Sequence, residues 1–363
     1  MVISRLVVLH CPNPVLKKWM KFKSNFPTVP VDDIAIHPRE NDLIFGTHGR
    51  SVWILDDITP LEQLAKDTLA SSAYLFDIRK ATIFNSYNHK GDLGHKFFVA
   101  QNPPFGATIS YYLKEEAKED AKIAIQDSQG QQIRELKGQK NAGINRLVWD
   151  MRYEPPEALG EDRISRRFRA RGPFVLPGEY KVTLKTAGQE MTKIVKVEGD
   201  PRIDISFEDR KAQHDALMSI YKLSPAISEA TRASDSIRKE IKKQESALQK
   251  IPGVPAAIHE SIKAISIEID DIRLKLAGDP GLGYGGMRLS VRGRLRMTGR
   301  SIGGYTGAPS EHHVQQIRKN SEELKTLIER INKIIEVDIP KLNELMNKNN
   351  IPRIVVGKKI KIS

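Results

Sequence analysis

The hydrophobic pattern changes period once along the chain. Before about Asp200, apolar residues alternate with polar ones over short runs; after it, they recur at spacings of three and four. In VDDIAIHP the apolar positions are Val31, Ile34 and Ile36, and Pro38 ends the run. DLIFGTHG predicts a second strand, Leu43 to Thr47, turned by Gly49, and SVWILDD a third, Ser51 to Leu55. Thr59 then reads as an N-cap, Pro60 as the first helical residue and Glu62 as the capping-box partner of a short helix, Pro60 to Lys66. A three-stranded meander with an apolar face needs a further sheet to lie on. Leu75 to Gly94, with Asn85, Asn88, Gly91 and Gly94, reads as an irregular linker.

From Lys96 to Asp200 the short-strand pattern returns. ATISYYL alternates from Ala107 to Leu113. AKIAIQDSQGQQIREL predicts a hairpin turning at Ser128-Gln129-Gly130, and GINRLVWDMRY offers Ile144, Leu147 and Trp149. LPGEYKVTLKTAGQEMTKIVKVEGD predicts a second hairpin, with Ala187-Gly188 at its turn. Regularly spaced short strands over about 100 residues predict a small β-sandwich, with Trp149 as its anchor. The Arg- and Glu-rich insert between Tyr153 and Gly172 reads as a surface loop.

Beyond Asp200, Ser206 and Asp209 suit an approximate capping box. The helix they open runs to about Lys250, with a kink or break at Pro225. Ile258, Ile262, Ile265, Ile269, Ile272 and Leu276 form a heptad-like stripe. From Ser310 onward Val314, Ile317, Leu324, Ile328, Ile331, Ile335, Leu342 and Leu345 keep the same rhythm, bent at Pro340. Three or more such helices predict an antiparallel bundle. The Gly- and Arg-rich stretch 281–309 reads as a poorly ordered loop, and RIVVGKKIKIS as a short strand or a free tail.

The 363 residues suffice for two or three domains, and 39% hydrophobic content supports real cores. No apolar run reaches the ~20 residues that span a bilayer. Met1 to His10 lacks the longer apolar region and small-residue cleavage site of a signal peptide. Cys11 is the one cysteine, which excludes an internal disulfide and a multi-cysteine zinc site. The net charge of +13 concentrates in two clusters: Arg163, Arg166, Arg167, Arg169 and Arg171, and Arg288, Arg292, Arg294, Arg296 and Arg300. Neither has interleaved aromatic platforms beyond Phe168 or sits in a recognisable binding module, so solvated loops are favoured over a nucleic-acid site.

Chemistry-bearing residues are sparse. GTHGRS places His48, Arg50 and Ser51 together, with Asp56 and Asp57 following, but it is not a nucleophile elbow. His48, Arg50 and Asp56 are the candidate catalytic residues. The doublets Asp32-Asp33 and Asp56-Asp57 suit strand-end caps or surface charges, because neighbours on a strand point to opposite faces. His312 and His313 face different ways at a helix start, and His37 and His48 are isolated, so no metal is expected. GDPGLGYGG lacks a P-loop lysine, and no cofactor is expected.

FPTVPVDDIAIHPRENDLIFGTHGRSVWILDD resembles the closing blade of bacterial β-propellers of the sortilin-like and BNR (Asp-box) glycosyl-hydrolase-like family. NPPFGATISYYLK, IQDSQGQQIREL, GINRLVWDMR and LPGEYKV resemble the immunoglobulin-like module that follows it, and the final helices resemble the family's helical tail. The resemblance covers about residues 19–355. It implies an α+β multidomain chain: an orphan β-propeller blade with a short helix over 19–70, a linker over 71–94, and an immunoglobulin-like β-sandwich over 95–202. A C-terminal antiparallel helical bundle over 203–350, with its loop 281–309, and a tail over 351–363 follow. No intact Asp-box is present, and residues 1–18 are expected to be a non-native or disordered start from a truncated or frame-shifted reading frame. The resemblance implies a non-catalytic C-terminal portion of an exported protein, structural or binding protein or glycan, whose partners are missing propeller blades. The alternative it leaves open is a glycosyl hydrolase fragment with its catalytic residues mainly in those blades.

Overall fold

The computed structural model describes residues 26–85, 102–156, 171–249, 251–279 and 289–360, together with the backbone of 8–9 and 20–21. It is a mixed α+β chain with several sheets and a helical C-terminal region. It divides into two units: Met1–Glu154 with Phe174–Asp204, and Pro155–Pro173 with Ile205–Ser363.

In the first unit β1 (Val8–Leu9) pairs antiparallel with β2 (Met20–Lys21); the remainder of residues 1–18 lies outside the described residues. β3 (Val31–Ile36), β4 (Leu43–Thr47) and β5 (Val52–Leu55) form an antiparallel meander with β4 central. Ile34 is registered with Phe45 and Phe45 with Trp53, so these three share a face; Ala35, Ile44 and Ile54 share the other. Phe26, Trp53, Leu55, Ile58 and Leu61 cover Leu43 and Phe45 on the first face. Two short helices follow, α1 (Thr59–Glu62) and α2 (Lys66–Ala70), in place of the single helix to Lys66. Thr59 is the first helical residue and Ile58 the N-cap, so Thr59 is not the cap; Asp57, just before the cap, accepts from the Thr59 N–H at 3.2 Å.

Eight strands then share one core. β6 (Ala73–Leu75), β8 (Ala107–Leu113) and β11 (Gly143–Trp149) make one sheet, ordered β11-β8-β6. β7 (Ala81–Ile83), β9 (Ala121–Gln126), β10 (Gln132–Gly138), β12 (Gly178–Thr186) and β13 (Gln189–Gly199) make the other, ordered β10-β9-β12-β13-β7, with β7 parallel to β13. Residues 73–75 and 81–83, read from sequence as linker, are thus strands of these sheets; at three residues each they are too short to show a period. Ile109, Tyr111, Ile123, Val182, Leu184, Val195 and Trp149 pack as one cluster. The Trp149 indole is fully buried, donates to the Arg152 carbonyl at 3.0 Å and meets Tyr180 edge-on at 5.4 Å. Both hairpins turn where alternation stops: Ala187 and Gly188 have φ of 49° and 73°, the two-residue turn that matches strand twist. Most of the Tyr153–Gly172 insert lies outside the described residues.

The second unit is helical. α3 (Phe207–Leu248) opens where Ser206 Oγ accepts from the Asp209 N–H at 3.0 Å. Of the kink or break expected at Pro225, the break does not occur: proline leaves a single helical bond unmade, and Ile227, Ala230, Ile237 and Ile241 keep the helix packed on the core beyond it. α4 (Ala256–Ala277) buries the whole Ile258-to-Leu276 stripe. Arg273 pairs with Asp235 and Arg238 with Asp270 across α3 and α4. α5 (Val291–Gly303) replaces the disordered loop expected over 281–309; 280–288 lie outside the described residues. Its buried residues Val291, Leu295, Thr298 and Ile302 repeat at helical spacing between the arginines and glycines. α6 (Glu311–Lys333) starts at Ser310 as expected, and Ser310 caps it, accepting from the His313 N–H. A π-turn, Ile334–Asp338, joins it to α7 (Ile339–Lys348), so Pro340 falls in a first turn, where a missing N–H costs little. Val314 departs from the stripe and is 52% exposed. The segment after α7 is no free tail: Ile351, Ile354 and Ile360 lie in the bundle core.

Candidate functional site

The three candidate catalytic residues sit at opposite ends of β5. His48 and Arg50 belong to the β4–β5 turn, where Gly49 has φ 76° and Ser51 φ 61°. The Ser51 carbonyl accepts from the Thr47 N–H at 3.1 Å, and the Arg50 carbonyl from the Trp53 indole N–H at 3.1 Å. The His48 ring lies 3.4 Å from the Asp32 carboxylate, both side chains open to water. Asp56 lies beyond Leu55, so the four residues of β5, roughly 13 Å of strand, intervene. His48 and Arg50 are exposed to solvent; Asp56 joins a different cluster.

That cluster gathers Glu40, Asp42, Asp56, Asp57, Arg79 and Arg146. Arg79 Nη1 lies 2.8 Å from Glu40 and 3.5 Å from Asp42. Asp42 accepts from the Asp57 N–H at 2.9 Å. Arg146, on β11, donates to the carbonyls of Asp56 and Asp57, both at 2.8 Å. Burial raises the Asp56 carboxyl above its ordinary value, and Asp42 and Asp57 add to this against the two guanidinium groups. A raised carboxyl beside other carboxylates suits an acid role. Here, however, Arg79 and Arg146 bond the loop and its acids, and the arrangement ties the end of the meander to β11. No sequence signal marks Arg79 or Arg146, because these contacts join residues 39 and 89–90 positions apart.

Two further arrangements carry chemistry-bearing groups. In the helical unit Ser301 Oγ lies 3.0 Å from His313 Nε2. The Ser310 N–H donates to His313 Nδ1 at 3.3 Å, so that nitrogen is the unprotonated one and Nε2 carries the hydrogen. His313 therefore donates to Ser301 and does not act as its base. An open groove of about 500 Å³ lies between α3 and α6, walled by Ala212, Ala216, Ser219, Val314 and Ile317. Among the described residues no cluster of three or more His, Cys, Asp or Glu side chains is arranged to hold a metal ion. No helix among them is long and apolar enough to cross a membrane.

At the end of the first unit Asp200 accepts four hydrogen bonds: from the Arg202 N–H at 3.0 Å, Nε at 2.8 Å and Nη2 at 2.6 Å, and from the Asn85 N–H at 3.0 Å. Arg202 holds this carboxyl well below the usual carboxylate range, against the opposing effect of burial. Of the first arginine cluster only Arg171 is described; in the second, Arg294 bonds Asn320 Oδ1 at 2.7 Å and pairs with Glu323, which ties α5 to α6.

No protein-family model, curated protein or solved structure matches this chain.

Proposed function

We propose that the chain is the non-catalytic C-terminal portion of an exported β-propeller protein, with a closing blade, an immunoglobulin-like module and a helical tail. The observation that carries this reading is the β3–β4–β5 sheet. Ile34 and Ile36 are 49% and 54% exposed at the margin of one face, and Val52 and Ile54 are 61% and 58% exposed on the other. Among the described residues neither β3 nor β5 pairs along its outer edge. A sheet aliphatic on both faces is suited to lie between two others, which is the position of a blade in a ring.

The sandwich supports the second half of the reading. Strands β6, β8 and β11 correspond to A, B and E of an immunoglobulin-like fold, and β9, β12 and β13 to C, F and G. Tyr180, early in β12, donates its hydroxyl to the Leu176 carbonyl at 2.7 Å, as the tyrosine corner of such folds does. On this reading the module is a support for protein or glycan binding, and His48 and Arg50 are turn residues.

The test is light scattering of the purified chain against concentration, beside V52K/I54K. The wild type is expected to self-associate through its bare faces, and the variant to remain monomeric with an unchanged circular dichroism spectrum. A monomeric wild type with slowly exchanging amides throughout residues 31–36 and 52–55 defeats the reading. Turnover of aryl glycosides by this chain would defeat its non-catalytic half.

A further inference from the structure

The segment after α7 is bound as a peptide ligand is bound. The chain leaves the helix through Asn350, at φ 54°. The Ile351 N–H donates to the Met346 carbonyl at 2.9 Å and the Asn350 N–H to Asn347 at 3.2 Å. This is a Schellman cap with asparagine at the left-handed position usually held by glycine. Two side-chain amides then receive the chain. Asn343 accepts from the Ile354 N–H at 2.7 Å and donates to the Ile354 carbonyl at 2.9 Å. Asn332 accepts from the Ile360 N–H at 2.8 Å and donates to the Ile360 carbonyl at 2.9 Å.

Each carboxamide presents one donor and one acceptor, the pair that a residue of a neighbouring strand presents to a β-ladder. A helix interior has no free backbone groups to offer, so these side chains replace them. Asn332 and Asn343 stand about three turns apart, roughly 16 Å, and Ile354 to Ile360 spans roughly 20 Å when extended. One extended stretch therefore meets both. Ile351, Ile354 and Ile360 are 5%, 2% and 2% exposed, while Arg353, Val355 and Lys358 face water.

We infer that the α6–α7 face bearing Asn332 and Asn343 is a receptor for extended peptides. Ile351–Ile360 is its resident occupant; a partner's extended segment with aliphatic residues at the positions of Ile354 and Ile360 exchanges with it. Backbone groups are read at two points and aliphatic volume at three, and the outward positions add no selectivity. The resident segment competes at an effective concentration on the order of millimolar, so weak partners are excluded. The inference is independent of the propeller reading.

The test uses the full chain carrying I354D/I360D, which expels the resident segment, and a labelled synthetic peptide of residues 351–360. The peptide is expected to bind this variant at least tenfold more tightly than the wild type, and adding N332A/N343A should weaken binding at least tenfold. Equal binding to variant and wild type, or none by a variant of unchanged helical signal, overturns the inference. Should the aspartates prevent folding, hydrogen exchange on the wild type decides. The Ile354 and Ile360 amides should exchange at least tenfold faster than those of Ile265 and Ile328, through local release. Equal rates mean that the segment leaves only on global unfolding, and also overturn it.

Discussion

Arg146 holds Asp57 by its backbone, not by its charge. The guanidinium donates to the Asp56 and Asp57 carbonyls, both at 2.8 Å, and so closes the loop that leads out of β5. A planar fork meets two adjacent carbonyls, and an ammonium does not reproduce it. Arg146→Ala is expected to cost about 1–2 kcal/mol in denaturant unfolding, and Arg146→Lys to recover less than half. Amides of residues 52–58 should exchange faster in both. Unchanged exchange would mean that the loop closes without this contact.

Trp149 and Tyr180 test the core shared by the two larger sheets. The buried indole makes Trp149→Ala cost about 3–5 kcal/mol, whereas Tyr180→Phe removes only the bond to Leu176 and costs about 1 kcal/mol. Chemical denaturation of both variants checks this; a loss below about 1 kcal/mol at Trp149 would mean that the indole does not anchor the core.

Gly106 meets a backbone, not a side chain. Its φ is 141°, and an added Cβ would stand 2.2 Å from the Trp149 carbonyl oxygen. Gly106→Ala is expected to cost about 3 kcal/mol or more. Gly303→Ala, in the last turn of α5 with no atom near the new methyl, should be neutral or stabilising by about 0.5 kcal/mol. Thermal melting of the two variants separates them.

Asp200 gives the first unit an acid limit. Its folded carboxyl titrates below its unfolded value, so the stabilisation is complete above the ordinary carboxylate range. It declines as pH falls through about 4 and is lost once the folded carboxyl itself protonates, lower still. Unfolding free energies of wild type and Asp200→Asn should therefore differ at pH 7 and converge toward pH 2. A difference independent of pH would assign the effect to shape instead of charge.

Where one side chain meets a regular neighbour, the sequence was legible. Ser206 and Ser310 announce helices because a cap is local, and the Ile258-to-Leu276 stripe announces a buried face because its spacing is unbroken. The helix Val291–Gly303 was hidden because arginines and glycines raise its polarity while only Val291, Leu295, Thr298 and Ile302 carry the period. The strands at 73–75 and 81–83 are set by distant partners, β8 and β13. The candidate residues show the same division. The turn holding His48 and Arg50 was readable from Gly49, but the separation of these two from Asp56, and the gathering of Arg79 and Arg146 around the acids, are tertiary facts with no local sign.

The crossed ion pairs of α3 and α4 do more than their strength suggests. Each lies at the surface, partly exposed to water, and is worth at most about 1 kcal/mol. Yet the order of signs is fixed: Asp235 then Arg238 on one helix, Asp270 then Arg273 on the other. A one-turn slip of the antiparallel helices sets Asp235 against Asp270, or, in the other direction, Arg238 against Arg273. The isoleucine seam tolerates such a slip far better than the charges do, so four surface residues act as a vernier that rejects the neighbouring alignments.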